Sequence, residues 1–353
     1  MTKRTKNTAR MSQKNSKNVS FFWDQHALRS DNAGRLVFLN GRYNKKLSNT
    51  SSLPQGVSFS NSKENGVFCY FPDNTIILKP LHIVFLTDKK HNTKYRNVFT
   101  LGAGSKICIY EEHIDLASTA TKQESSSTLK VAAGAKLDYV KLYNSLSKNK
   151  TKSRSNNMTT VTALTNSLVK MQHIFLGGEK IEEKLQLQLA GENAVASIQS
   201  LAWLSNKEYT NLDIEIQHTA AKTKSHTLYK SIANDESHSV FRGKILVDRD
   251  ARQSEGLLKN HNLLLSNKAQ VDTLPELEIY ADDVKCSHGA TVGDLDEKAL
   301  FYCASRGIAE KDARVMLLHA FLAEIVDKIE DKIIKEHIRH NLNIFSPDLT
   351  FIL

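Results

Sequence analysis

Cysteine is scarce in this chain of 353 residues. Cys69, Cys108, Cys286 and Cys303 are too few and too scattered for a disulfide scaffold. No CxxC or CxxxxC pair offers the usual spacing of a closed zinc site. Long apolar runs are missing as well. The longest, Thr75–Leu78 and Leu81–Leu86, are separated by Lys79 and Pro80 and fall far short of the ~20 residues that a spanning helix needs. No apolar run follows the basic N-terminal stretch, so a secretory signal is not supported. Arg, Thr and Ser precede the first acid, Asp24, which leaves a transit peptide as the lesser alternative to a cytoplasmic protein. No GxxxxGK[ST] loop occurs, so the chain itself is not expected to hydrolyse ATP.

What is present describes a folded protein. Hydrophobic residues make up 40% and charged residues 24%, an ordinary globular balance that excludes wholesale disorder. The length allows two or three domains. The net charge of +10 is uneven: residues 1–50 hold eleven Lys and Arg against two Asp, leaving the rest near +1. A solvated, partly disordered basic leader over residues 1–34 accounts for this. A nucleic-acid surface does not, because phosphate binding needs a basic face on the folded body.

From Arg35 onward, short β-prone runs alternate with Gly, Asn, Asp and Ser. They include Gly66–Phe71, Lys106–Tyr110, Lys136–Leu142, Ile198–Leu204 and Leu212–His218, followed by His226–Ile232, Val240–Val247, Leu257–Leu265 and Leu277–Ala281. Leu212, Ile214 and Ile216 alternate with Asp213, Glu215 and Gln217, the signature of a strand with one buried face. A turn phrase also repeats. Leu101-Gly-Ala-Gly-Ser-Lys-Ile returns as Val131-Ala-Ala-Gly-Ala-Lys-Leu and, loosely, as Leu189-Ala-Gly-Glu-Asn-Ala-Val. Repetition of this kind predicts a β-solenoid, in which each coil covers the next. A two-sheet sandwich competes, but it would use tight hairpins, and hairpin signals are scarce. Asn144–Asn157 reads as a basic, solvated loop between coils.

The pattern changes after Gly293. Asp294-Leu-Asp-Glu297 resembles a capping box, with Asp294 at the N-cap, and opens a helix to about Ser305 that Gly307 ends. A second helix from about Glu310 carries Val315, Leu318, Phe321, Leu322 and Ile325 along one face. Helical character continues or restarts over Asp331–Asn341. The predicted organisation is a leader (1–34), a β-solenoid (35–292) and a small helical domain (293–353).

Lys285-Cys-Ser-His-Gly-Ala-Thr291 is the densest constellation. If Leu277–His288 is extended, Cys286 and His288 project from one face and offer a thiolate and an imidazole to a soft or borderline metal. Two ligands leave a coordination sphere unfinished, so the others would come from another chain, from sulfide, or from a distant residue such as His261. A half-buried cysteine beside a hydrogen-bonding histidine fits the spacing better when it is taken alone. Asp248 with Asp250, and Asp282 with Asp283, would suit a solenoid enzyme acting on polysaccharide, a lyase or hydrolase, but as turn residues they are more simply explained. With only 7% aromatics, few side chains are available for sugar subsites. His218, His226 and His238 sit at or near run ends, where they are expected to face solvent.

The stretch Leu257-Leu-Lys-Asn-His-Asn-Leu-Leu-Leu-Ser266, then Asp272 to Gly293 with its Cys-Ser-His-Gly-Ala-Thr-Val-Gly phrase, resembles the SufB/SufD family of the SUF machinery for iron–sulfur cluster assembly. Leu300-Phe-Tyr-Cys-Ala-Ser-Arg-Gly-Ile308 extends the resemblance, and the Cys-Ser-His phrase is nearer the SufD form than the SufB form. The resemblance implies a right-handed parallel β-helix with C-terminal helices. It implies a non-catalytic scaffold subunit that pairs with a SufB-like chain through the β-helix, while the helices dock a SufC-like ATPase. A homodimer in isolation is also compatible. His288 and then Cys286 become the candidates for holding a transient cluster, with no cofactor bound tightly to the chain alone. Val315, Leu318, Phe321, Leu322 and Ile325 become the ATPase-docking candidates. An N-terminal helical domain with a Trp-Lys-Tyr-Thr phrase, common in SufD proteins, has only the basic leader in its place here.

Overall fold

The computed structural model describes residues 34–345, apart from 52–57, 62–65, 78, 89–91, 118–119 and 146–152. The predicted leader and the apolar knot Val19–Trp23 within it lie outside the described residues. Nineteen strands and three helices are described.

The strands alternate between two sheets. One holds β1 (Arg35–Leu39), β2 (Arg42–Tyr43), β5 (Leu81–Thr87), β7 (Lys106–Asp115), β9 (Lys136–Ser145), β11 (Leu168–Leu176), β13 (Val195–Leu204), β15 (Lys224–Ala233), β17 (Glu255–Leu264) and β19 (Lys285–Gly293). The other holds β3 (Ser58–Asn61), β4 (Val67–Phe71), β6 (Asn92–Leu101), β8 (Lys122–Val131), β10 (Arg154–Ala163), β12 (Lys180–Leu189), β14 (Tyr209–His218), β16 (His238–Val247) and β18 (Gln270–Ile279). Apart from the pairs β1–β2 and β3–β4, every ladder is parallel. Partners lie close to thirty residues apart, as Lys106 with Lys136 and Glu255 with Lys285 do. The chain is therefore a parallel β-solenoid with one strand of each sheet per coil.

One corner of every coil carries a residue in the left-handed conformation. Asn74, Gly104, Gly134, Asn166, Asn193, Lys222, Gln253 and Asp283 take φ between 56° and 67°. From Asn74 to Gln253, the amide of each of these, Asn166 and Asn193 included, donates to a carbonyl in the corner of the next coil, as Asn74 does to Ala103 and Gly104 to Ala133. A small buried residue follows: Ser105, Ala135, Ser167, Ala194, Thr223 or Ser254. The Gly-Ala-Gly turn phrase is thus one form of a longer repeat in which Asn, Lys or Gln replaces the glycine. Gly191 has a separate reason. A Cβ there would fall 1.8 Å from the Thr165 amide nitrogen of the preceding coil.

Inward positions fill a single apolar core along the axis, with Leu36, Phe85, Phe99, Leu137, Leu187, Ile214 and Phe241 among its members. The outer face of the sheet that runs from β1 to β19 is covered by the helices α1 (Glu297–Ser305), α2 (Glu310–Val326) and α3 (Lys332–Phe345). Tyr110, Leu142, Ile174, Leu201, Trp203 and Ile232 form one cluster with Leu318, Leu322, Ile325, Ile334 and Ile338.

Details depart from the sequence reading. α1 is capped by Asp296, which accepts from the Lys298 amide, and not by Asp294. Gly307 does end the helix, with φ 79°. Leu277–His288 is two strands and not one: the chain turns at Asp282–Asp283 and passes from β18 to β19. The basic loop is shorter than expected, since Asn144 and Ser145 close β9 and Arg154–Asn157 open β10. Thr75–Leu78 contributes only an isolated bridge at Ile76.

Candidate functional site

Among the described residues, no element caps the last coil: β18 and β19 are the last strands of their sheets, each paired on one side only. In β19, Cys286 stands opposite Gly256 and His288 opposite Leu258. Leu258 belongs to the luminal core, so both side chains continue inward-facing columns into the last coil. The two residues expected to share a face do so. Cys286 is half-buried: its Sγ lies 3.3 Å from where a Cβ on Gly256 would be, which explains the glycine there. Burial pushes its thiol pKa up. His288 is exposed. Leu274, Tyr280 and Val292 of the same end are also exposed, at 46%, 60% and 46%.

His261 does not join this pair. It faces the outer side of the sheet, and its Nδ1 lies 2.9 Å from the Thr291 hydroxyl. Among the described residues, no group of three or more His, Cys, Asp or Glu side chains is arranged to hold a metal ion. Cys286 and His288 thus stand as two donor side chains on one inward face of the last coil, with no third His, Cys, Asp or Glu grouped beside them among the described residues.

His218 corrects a further expectation. It is fully buried and points inward, with Nδ1 2.7 Å from Thr223 Oγ1 and Nε2 2.8 Å from Ser225 Oγ. Burial lowers its pKa to about 4. Its place at a run end suggested solvent, but the corner beyond it folds back over the lumen.

The helical stripe is spent inside the chain. Leu318, Leu322 and Ile325 are buried against the sheet, and Val315 and Phe321 pack half-buried on the same cluster. For Leu318, Leu322 and Ile325 this corrects the docking set, because a side chain already covered by its own sheet cannot also receive a partner; Val315 and Phe321 stay partly exposed. The large apolar groups that the helices leave open are Phe301 and Tyr302 on α1, 77% and 59% exposed, Met316 on α2 and Ile333 on α3. Lys230 fixes α2 in place: it pairs with Glu324, donates to the Phe321 carbonyl at 3.0 Å and lies over the Phe321 ring.

Two buried polar networks escaped the sequence reading. On the outer face, Glu112 bridges His82 at 3.1 Å and His337 of α3 at 3.0 Å. Burial alone would raise the Glu112 pKa, but the His337 charge and the hydrogen bonds from both imidazoles outweigh it and hold it at about 2. Inside the lumen, Lys141 Nζ lies 3.1 Å from Glu183 and 3.6 Å from Glu111. Glu111 also accepts from Tyr139 and lies 2.6 Å from His113, while Glu183 accepts from Tyr143 and Thr159. Burial would raise Glu111, yet Lys141 and these bonds hold it at about 2. The sequence signal was available: Glu111 and Lys141 occupy inward positions of otherwise apolar runs.

Comparison with known proteins assigns the family. Residues 84–321 match the SufBD core domain of the SUF system for FeS cluster assembly. The chain belongs to the SufB/SufD family. It is 33% identical to the iron-sulfur cluster assembly protein SufD of Escherichia coli over 332 residues, covering 86% of this chain and 77% of that one. It is 27% identical over 343 residues to an iron-sulfur cluster assembly SufBD family protein of Synechocystis, covering 84% and 74%. Its role accordingly lies in iron–sulfur cluster assembly by the SUF system.

Proposed function

We propose that the chain is a non-enzymatic scaffold subunit for nascent iron–sulfur clusters. It pairs through its uncapped coil with a SufB-like chain and through its helices with a SufC-like ATPase. The observation that carries this reading is the open end itself. Two unpaired strand edges, exposed Leu274, Tyr280 and Val292, and an incomplete ligand pair lie together. An exposed edge with apolar side chains is a template for another chain, and Cys286 with His288 supplies donors for iron that a partner thiolate or sulfide would complete. His288 is placed first because it is the more exposed of the two. Phe301, Tyr302 and Met316 are the natural ATPase-docking face, since Leu318, Leu322 and Ile325 are covered.

The test is co-expression with both partners, measuring iron and acid-labile sulfide per assembled complex. The His288→Ala chain should still fold and assemble, because it loses an exposed side chain. Its cluster content should fall sharply, and Cys286→Ala should have the smaller effect. A normal cluster load in His288→Ala would make that residue only a strand-end histidine. Recovery of an ATPase with the chain separates this reading from a polysaccharide-cleaving solenoid, which would bring none down.

A further inference from the structure

The solenoid interior is not dry hydrocarbon. One inward register column runs Glu111, Lys141, His173, Ser200, Tyr229, Asn260 from β7 to β17, one residue per coil. All six are buried. Two carboxylates, Glu111 and Glu183, face one ammonium, Lys141, so the group carries a surplus negative charge while the imidazoles are neutral. His113 is held neutral by burial: one ring nitrogen faces Glu111 and the other faces the Gln123 amide.

His173 is the anomaly. Its side chain is wholly buried, and neither ring nitrogen has a protein partner. Ser200 Oγ, next in the column, also lacks one, as does Thr227 Oγ1 nearby in β15. Buried polar atoms without partners are rare in native proteins and mark the places of internal water. Register neighbours, whose backbones stand about 4.8 Å apart, can bond directly, as Ser231 does to Asn262 at 2.6 Å; His173 and Ser200 make no such bond, which leaves their polar atoms to a bridging water. Solvent comes near the column through His113, which lies 2.6 Å from Glu111. A cavity of about 50 Å³ beside His113 and Tyr143 is lined by Gln123, Asp115 and Ser153, with exposed Arg154 at its rim. That is room for water and little else.

We propose that the lumen is a water-bridged proton path joining the uncapped coil to the cavity beside His113. This rests on the function proposed above. When a thiol binds iron, the S–H bond breaks, the S–Fe bond forms and the proton must leave. Once a partner covers β18 and β19, the interface is closed to bulk water, and the lumen remains as the way out. Asn260 lies two residues along from Leu258, the neighbour of His288, on the same inward face. From there the column leads through Tyr229 and Ser200 to His173, about 19 Å from β19 at four strand spacings. A neutral imidazole with both nitrogens free can accept a proton at one and release it at the other. The Glu111–Lys141–Glu183 group then offers the negative charge toward which protons move, with Tyr139, Tyr143 and His113 around it. Held ionised, its carboxylates pass protons on and do not store them.

The test has two arms. Magnetic relaxation dispersion of water oxygen, on the full chain alone, counts long-lived internal waters. The wild type should hold at least two more than His173→Leu, and equal counts would show a dry site and overturn the path. His173→Gln keeps the hydrogen-bonding capacity and should keep the waters, and it serves if the leucine variant does not fold. The second arm uses the complex with its partner chains. Initial rates of cluster formation are followed against pH, in H2O and D2O. His173→Gln should slow the rate several-fold and shift its pH profile, with the final cluster content unchanged. An unaltered rate and profile would overturn the path. A complex that forms no cluster even with the wild-type chain would overturn the proposed function, whereas a wild-type lumen without water would overturn the path itself.

Discussion

Lys141 and Glu183 face each other across the lumen, Nζ to Oε2 3.1 Å, with neither side chain exposed to any measurable degree. Replacing a buried ion pair by apolar groups is often tolerated, but removing one partner strands a charge. Lys141→Met should therefore destabilise the fold by about 3–5 kcal/mol, read as a lower urea midpoint with an unchanged slope. Adding Glu183→Gln to Lys141→Met should recover part of that loss. A double variant whose cost equals the sum of the two singles would show that the pair is not coupled.

Acid should unfold the chain in two overlapping stages. His173 and His218 have folded pKa values lowered by burial to about 4, against an ordinary 6.5. Stability from keeping them neutral is present above 6.5 and is lost as pH falls toward 4. Glu111 and Glu112, held at about 2 against 4.5, contribute stability that is present above 4.5 and lost as pH falls toward 2. Both effects have the same sign, so stability should decline steadily on acidification from about 6.5. His218→Asn should flatten the first stage, measured as denaturation midpoint against pH. A curve that keeps its slope between 6.5 and 4 would refute the assignment for His218.

How far this architecture can be read from sequence depends on what fills the lumen. Leu212, Ile214 and Ile216 announce β14 because their inward positions are apolar. β8 and β10 place Ser125, Ser127, Asn157 and Thr159 inward instead, and without a hydrophobic alternation they do not stand out as strands. The turn phrase was legible where glycine supplied the left-handed residue and was lost where Asn166, Lys222 or Gln253 took over. The pairing of Cys286 with His288 followed from strand parity alone. The stripe on α2 was equally plain, but periodicity shows that a face is apolar and not what covers it, and here the cover is the chain's own sheet.

The clamp at Glu112 makes another outcome measurable. It ties His337 of α3 to His82 of β5, and Asn341 adds a 2.6 Å bond to Asn144. Glu112→Ala leaves two buried imidazoles without their shared acceptor. Amide exchange over Lys332–Phe345 should rise at least tenfold, while exchange in β13 to β17 stays as in the wild type. Unchanged protection of α3 would show that its apolar contacts suffice.

Gly191 tests the stacking of coils. Gly191→Ala puts a methyl group into the Thr165 backbone, a turn segment whose carbonyl is held by the Gly134 amide and which cannot give way like a side-chain tip. A loss at or above the 1–3 kcal/mol usual for overpacking is expected, measured by thermal or urea unfolding. Gly289→Ala is the control, since nothing lies within 4 Å of its added Cβ, and it should shift the midpoint little.

The two ends of the solenoid differ, among the described residues, in the edge they offer to another chain. At the N-terminal end, β2 and β3 run antiparallel to their neighbours and fold the chain back over its first coils. At the other end, β18 and β19 remain open. A solenoid open at both ends would have a valence of two and could stack head to tail into a fibre. Among the described residues the N-terminal edge strands β2 and β3 are two and four residues long, a poorer template than β18 and β19 with ten and nine. Under the proposed function, a second chain therefore meets β18 and β19 first, beside Cys286 and His288.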